Sequence, residues 1–203
     1  MTKRMRLIAG ALAATLLGIP LGACGSSSGG GPSASAKTTV EATALLAPTV
    51  AAAPAGLRVS QKPFAQEPSP TTLNSTFGAA AKRVSSQLAS LAEVDFSGSG
   101  GAAAYAHAYV FKSTDDATAS GPDFLKTNVL MSKVNAPSDA PGDVGQASTE
   151  PYSNGKSVSY RYVFRDHNVL SYIEVDGPKG TFTIDDAVAL ASAEDQKIQA
   201  TLK

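Results

Sequence analysis

Cys24 is the single thiol in the chain, and it follows Leu21, Gly22 and Ala23 directly. Small residues at Gly22 and Ala23 let an extended backbone enter a protease cleft. The thiol is the one side chain here that can carry a thioether-linked lipid. The only imidazoles are His107 and His167. His167 falls in a tight connection and reads as solvated, while His107 lies among tyrosines and reads as half-buried rather than catalytic. Asp115-Asp116 and Asp185-Asp186 are paired carboxylates at helix starts, where the helix dipole and free N–H groups account for them. Neither pair shows the D-x-D-x-D-G spacing of a calcium loop. Gly25-Ser26-Ser27-Ser28-Gly29 matches the letters of a nucleophile elbow. It lies in a Gly/Ser run and not between a strand and a helix, so the context that motif needs is absent. No catalytic constellation and no metal-ligand pattern stands in the sequence, which argues against an enzyme and requires no cofactor.

Tyrosine is the other side chain with binding chemistry, because it offers amphipathic contact area. All six tyrosines fall on or beside expected strands. Tyr105, Tyr109, Tyr160 and Tyr162 are the candidate lining of a ligand cleft between sheet and helices. The competing reading makes them core residues with hydroxyls at the rim, filling the role of the missing tryptophan. Arg161 and Arg165 share the other side of their strand, where they meet an anionic partner or pair with Glu174.

The segment before Cys24 sets its context. Lys3, Arg4 and Arg6 form a basic start, and Leu7 to Pro20 is an apolar run. That run is about 14 residues, too short for a bilayer core that needs roughly 20, and its flanks are those of a signal peptide. The alternative is an ordinary secretory peptide with Cys24 an incidental thiol. The order Leu21-Gly22-Ala23-Cys24 resembles the lipobox of bacterial lipoproteins, L-[AGS]-[AG]-C. The resemblance covers residues 1–24. It implies cleavage before Cys24, with Leu21, Gly22 and Ala23 as the peptidase recognition residues. It further implies a diacylglyceryl group on the sulfur and fatty acylation of the new amine. Two or three acyl chains anchor stably where one is marginal. The expected location is therefore the extracytoplasmic side of the cell membrane.

Seventeen basic and seventeen acidic residues balance in the whole chain. Loss of Lys3, Arg4 and Arg6 leaves 14 basic against 17 acidic, a net charge of about −3. That balance argues against nucleic acid, which recruits a basic stripe. With its only cysteine lipidated, the exported chain has no disulfide, thiolate metal site or cysteine nucleophile. Residues 25–37 read as a flexible Gly/Ser/Ala tether with a root-mean-square reach of about 20 Å. Pro54, Pro63, Pro68 and Pro70 extend the expected tether to residue 72, around a short helix of Val40, Ala44, Leu45, Leu46 and Ala47 that ends near Pro48.

The globular domain is expected over residues 73–203. Phe77, Ala81, Val84, Leu88 and Leu91 recur at helical spacing; a strand pair over 82–96 competes for the same residues. Residues 103–112 alternate as a strand. Ser113 with Asp116, and Thr183 with Asp186, form capping boxes. Gly121-Pro122 divides the first of the two helices they start, and the second half runs to about Lys133. Residues 157–176 make a β-hairpin around Asp166-His167-Asn168, with Asn168 suited to a left-handed conformation. The final helix carries Ile184, Val188, Ala191, Ile198 and Leu202 on one side. Together these elements predict an α+β fold, a small antiparallel sheet with helices packed on one face.

The segments Phe111-Lys-Ser-Thr-Asp-Asp-Ala117, Asp143-Val-Gly145 and Tyr162-Val-Phe-Arg-Asp-His-Asn-Val169, followed by an Ala-rich helix, are similar to the small secreted sensor-type domains of actinobacterial lipoproteins and kinase ectodomains. Residues 165–169 depart from the Arg-x-Gly-Asn turn of that group. The resemblance implies fold more than activity. The expected protein is a non-enzymatic envelope lipoprotein that binds a ligand or partner. An enzyme accessory of the cell wall and a structural surface protein are the alternatives.

Overall fold

The structure, a computed structural model, describes residues 41–129, 132–153 and 155–202. The expected signal peptide, Leu21, Gly22, Ala23, Cys24 and the Gly/Ser run to Lys37 lie outside those residues, as does Met131.

Seven strands form one sheet in the order β1-β2-β3-β7-β6-β5-β4, every neighbouring pair antiparallel. The strands are β1 (Leu57–Ala65), β2 (Leu88–Gly98), β3 (Ala103–Phe111), β4 (Ser132–Val134), β5 (Val144–Pro151), β6 (Ser157–Asp166) and β7 (Val169–Pro178). The helices are α1 (Ala42–Leu46), α2 (Pro70–Phe77), α3 (Ala81–Gln87), α4 (Thr114–Asn128) and α5 (Ile184–Thr201). The α+β class with an antiparallel sheet is the one expected.

Strand alternation divides the core in two, because successive side chains point to opposite faces. On one face Ala104, Ala106 and Ala108 of β3, Val94 and Phe96 of β2, and Ile173 and Val175 of β7 pack with Leu45, Leu46, Leu190 and Ile198. That layer is α1 and α5, whose buried residues include the expected Val188, Ala191 and Ile198. On the other face Leu91, Tyr109, Phe111 and Leu170 pack with Leu73, Phe77, Val84 and Phe124 of α2, α3 and α4. Helices therefore cover both faces, not one. The single layer fails because α5 lies on the face opposite α2, α3 and α4; the short helix expected before Pro48 forms as α1 and joins α5.

That linker needs a larger correction. Residues 41–72 are not tether: Ala42, Leu45 and Leu46 are buried, and β1 pairs with β2 from Leu57↔Gly98 to Ala65↔Ala92. The prolines that suggested a linker have places in the fold. Pro63 lies in an edge strand, where a missing N–H costs no ladder bond, beside register shifts that mark bulges. Pro70 opens α2 behind Ser69, whose hydroxyl accepts from the Thr72 N–H at 3.1 Å.

Neither competing expectation over residues 77–96 holds whole: the helix expected through Leu91 stops at Gln87, and the strand expected from residue 82 starts at Leu88. Helix α3 ends at Gln87 and β2 begins at Leu88, so one apolar series turns from helical to alternating spacing. The predicted break at Gly121-Pro122 does not occur; α4 continues through Pro122 to Asn128 and stops short of Lys133. Burial of Ala117, Ser120, Phe124 and Asn128 along one face holds it across the proline. Both predicted caps form: the Asp116 N–H donates to Ser113 Oγ at 3.1 Å, and the Thr183 N–H donates to the Asp186 carboxylate at 2.8 Å. The β6–β7 hairpin closes with Asp166 opposite Val169, and its left-handed residue is His167 (φ 51°), not Asn168. Asn168 instead donates its side-chain amide to the Phe111 carbonyl at 2.5 Å.

Candidate functional site

Helices α2, α3 and α4 cover only part of their face of the sheet. Where they lie, aromatic rings close the space: Phe77 sits 5.3 Å from Tyr109 and 5.4 Å from Phe124, centroid to centroid. Arg161 marks the boundary. Its guanidinium donates to the Asn128 carbonyl at the end of α4 (2.6 Å), pairs with Glu174 (3.0 Å) and lies 4.7 Å over the Tyr172 ring. A cation at a helix C-terminus is favourable, so Arg161 ties the sheet to α4.

Beyond Arg161 the same face carries polar and aromatic side chains, and none of the described helices covers it. Asp95, Tyr105, Glu174 and Arg161 stand side by side across β2, β3, β7 and β6. The next row is Glu93, His107, Tyr172 and Val163. In this row the His107 imidazole is 3.6 Å from Glu93 and its ring lies against Tyr109 and Tyr172. On the far side Asp176 is opposite Ala103, with Ser159 beside it.

At that far end is a cavity of about 290 Å³, lined by Ala103, Tyr105, Tyr152, Ser157 and Asp176 between Gly101 and Gly177. The small residues leave the room; Tyr152 stands at its mouth, 45% exposed. Asp176 is under electrostatic tension. Burial and then the charge of Glu174 raise its pKa to about 6. Its Oδ1 is buried with no hydrogen-bond partner, as is Oδ1 of Asp95. The Ser159 hydroxyl donates to Glu174 at 2.8 Å; hydrogen bonding from Ser159 and then Tyr152, with the Arg161 charge, opposes the rise at Asp176. Burial and Asp176 push the Tyr152 phenol up, so it stays a donor across the ordinary pH range.

The four tyrosines expected to share a cleft do not share one. Tyr105 and Tyr109 are on the α2–α4 face, whereas Tyr160 and Tyr162 are on the α5 face, because residues opposite each other in the ladder share a side. Tyr109 is buried with its hydroxyl on Thr76 (3.1 Å), and Tyr162 is buried with its hydroxyl donating to the Pro141 carbonyl (2.7 Å). Tyr105 alone of the four lines the open cavity, and Tyr152 joins it. Sequence spacing held the signal for the rest: Leu91, Glu93 and Asp95 alternate, as do Tyr172, Glu174 and Asp176. Arg161 does pair with Glu174, as one of the readings had it, while Arg165 sits 3.8 Å from Asp143. Among the described residues no group of three or more His, Cys, Asp or Glu is arranged to hold a metal ion.

A second polar cluster lies on the α5 face under the β6–β7 turn, and the sequence reading missed it. Glu194 is buried on the apolar stripe of α5 and accepts from the Ser171 hydroxyl; its Oε2 has no partner. Burial raises its pKa to about 8 against the pull of Ser171, with Asp195 adding to the rise. Asp195 is raised to about 6 by burial and then by its contact with Asp166. Asp166 is held by His167 Nδ1 (2.7 Å) and Gln199 Nε2 (2.6 Å). Glu194 follows Ala187 and Leu190 and precedes Ile198 at helical spacing, which is the signal for its burial.

No helix among the described residues is long and apolar enough to cross a membrane. No protein-family model matches the chain, and no curated protein matches it. Among solved structures the chain is similar to the extracellular domain of PknH from Mycobacterium tuberculosis, at 12% identity and a TM-score of 0.48. The match covers 72% of this chain and 86% of that one, and it is a distant likeness of shape that assigns no activity or ligand.

Proposed function

We propose that the chain is an extracytoplasmic lipoprotein, anchored through acyl chains on Cys24, whose folded domain is a non-enzymatic binding module. The observation that carries the binding reading is the part of the sheet that no described helix covers, where a cavity of about 290 Å³ keeps a buried carboxylate oxygen of Asp176 without a partner among the described residues. A buried acceptor left unpaired costs free energy that a donor on a ligand recovers. The anchor rests on Leu21-Gly22-Ala23-Cys24 and the basic and apolar run before it. The partners are then the membrane, through lipid, and a ligand or protein of the cell envelope.

Two measurements test this reading separately. Cys24→Ser should shift the protein from the membrane fraction to the soluble one or leave it uncleaved. Unchanged fractionation with normal processing overturns the anchor. Native mass spectrometry of the protein purified from its own host should show a bound species that Asp176→Asn loses. A bare mass in the parent counts against a binding module.

A further inference from the structure

We propose that the cavity between Tyr105, Tyr152 and Asp176 recognises an organic ammonium group, a primary or secondary amine carried on a small molecule. This deepens the binding reading above and rests on it. Three observations point to a cation. The first is charge: Asp95, Glu174 and Asp176 reach the same patch of sheet, and one of them, Glu174, is matched by Arg161 at 3.0 Å. The second is hydrogen bonding: Asp95 and Asp176 each keep a buried Oδ1 with no donor. Carboxylates accept only, so the missing group must bring N–H or O–H donors, and a charged donor makes the stronger bond. The third is the ring lining. Tyr105 and Tyr152 border the cavity, and phenol rings attract a cation that has been stripped of water. Tyr152 and Asp176 line the cavity together.

The shape sets the size of the ligand. A volume of about 290 Å³ lies near the lower end for small-molecule sites, which begin at roughly 300 Å³. An alkylammonium head with a few carbons fits, and a longer chain would run out past Tyr152, which is exposed. Small residues at Gly101, Ala103 and Gly177 let the head approach the strand backbones. Adding a Cβ to Gly177 would bring it within 2.7 Å of the Phe182 ring, so this floor has no spare room on the opposite side.

The test titrates cadaverine and n-butylammonium into the full lipidated chain in detergent micelles near neutral pH, with N-acetylglucosamine as a neutral probe of similar bulk. Calorimetry in buffers of different ionisation enthalpy reads affinity and proton release together. The expected result is saturable amine binding with release of protons from Asp176 at mildly acidic pH. Asp176→Asn should weaken it by at least about tenfold, and Tyr152→Ala should weaken it with no loss of fold. Tyr152 is exposed, so this second variant keeps the test valid if Asp176→Asn unfolds. Glu67→Gln, an exposed change away from the site, should leave it intact. Amine binding that both cavity variants leave unchanged, or no saturable amine binding in the millimolar range, overturns the inference. If N-acetylglucosamine binds in place of the amine and loses affinity in Tyr152→Ala, the amine class falls while the binding module stands.

Discussion

Glu194 concentrates the electrostatic tension of single residues in this fold. Its carboxyl is enclosed, has one hydroxyl partner in Ser171, and titrates at about 8 against an ordinary 4.5. The folded state thus holds a proton that the unfolded chain gives up. The stability this provides is full below about 4.5 and is lost as pH rises through 8. Glu194→Gln keeps the shape and removes the charge, and its amide can donate to Ser171. We expect the melting temperature of the parent to fall from mildly acidic to alkaline pH and that of the variant to fall less, the parent's loss of stability from this group being on the order of a few kcal/mol at the alkaline end. Parallel melting curves across that range would refute the assignment. Tyr162 makes the opposite point, since its hydroxyl is fully spent. It donates to the Pro141 carbonyl, and Gly145 has no Cβ because the Tyr162 phenol occupies that space. Tyr162→Phe should cost about 1–3 kcal/mol in urea denaturation by orphaning a buried carbonyl, and should leave amine binding unchanged. At this scale the sequence showed which residue types were scarce and which strands bore tyrosine. It did not show which face each tyrosine took, because that depends on ladder register between strands far apart in the chain.

Single elements show local signals holding where the chemistry is local. Ser113 and Thr183 cap the helices expected of them, since a hydroxyl or carboxylate three residues from a free N–H needs no tertiary help. The proline in α4 misled because its penalty, about 3 kcal/mol in a helix interior, is smaller than the burial of Phe124 together with the rest of that face. The two features give predictions of opposite sign. Ser113→Ala should lower stability by about 1 kcal/mol through the lost cap. Pro122→Ala should raise it, by less than the full helix penalty, because proline also restrains the unfolded chain. Chemical denaturation of both variants checks the pair, and a destabilising Pro122→Ala would show that the ring is needed in the apolar crevice it lines with Leu125 and Val144. The passage from α3 to β2 was unreadable for a related reason. Leu88 and Leu91 are three apart, a helical spacing that strict alternation would put on opposite faces, and the strand keeps both on one face through the register shift between Leu88 and Ser90 as it pairs with β1 and β3.

The molecule as a whole depends on the segment that looked least structured. Five prolines and many alanines over residues 42–70 made this stretch resemble linker, because its short apolar runs carry no period long enough to detect. Their meaning comes only from the sheet. Alanines at 104, 106 and 108 leave a shallow floor on β3, and Leu45 and Leu46 of α1 fill it beside α5. The folded unit accordingly takes in the described residues from Glu41 onward. A domain boundary at Leu73 would remove α1 and β1, expose the edge of β2, and uncover the fully buried Ala92 and Val94. Burial of two leucines alone contributes about 3–6 kcal/mol, the same order as the total stability of a small domain, roughly 5–15 kcal/mol. A fragment of residues 41–202 should therefore melt cooperatively, while one of residues 73–202 should bind a hydrophobic dye, lose its cooperative transition and aggregate through the bared β2 edge. Circular dichroism and light scattering on the two fragments decide it. If the shorter fragment melts as sharply and as high as the longer one, α1 and β1 are dispensable additions to the sheet and the boundary belongs at Leu73 after all.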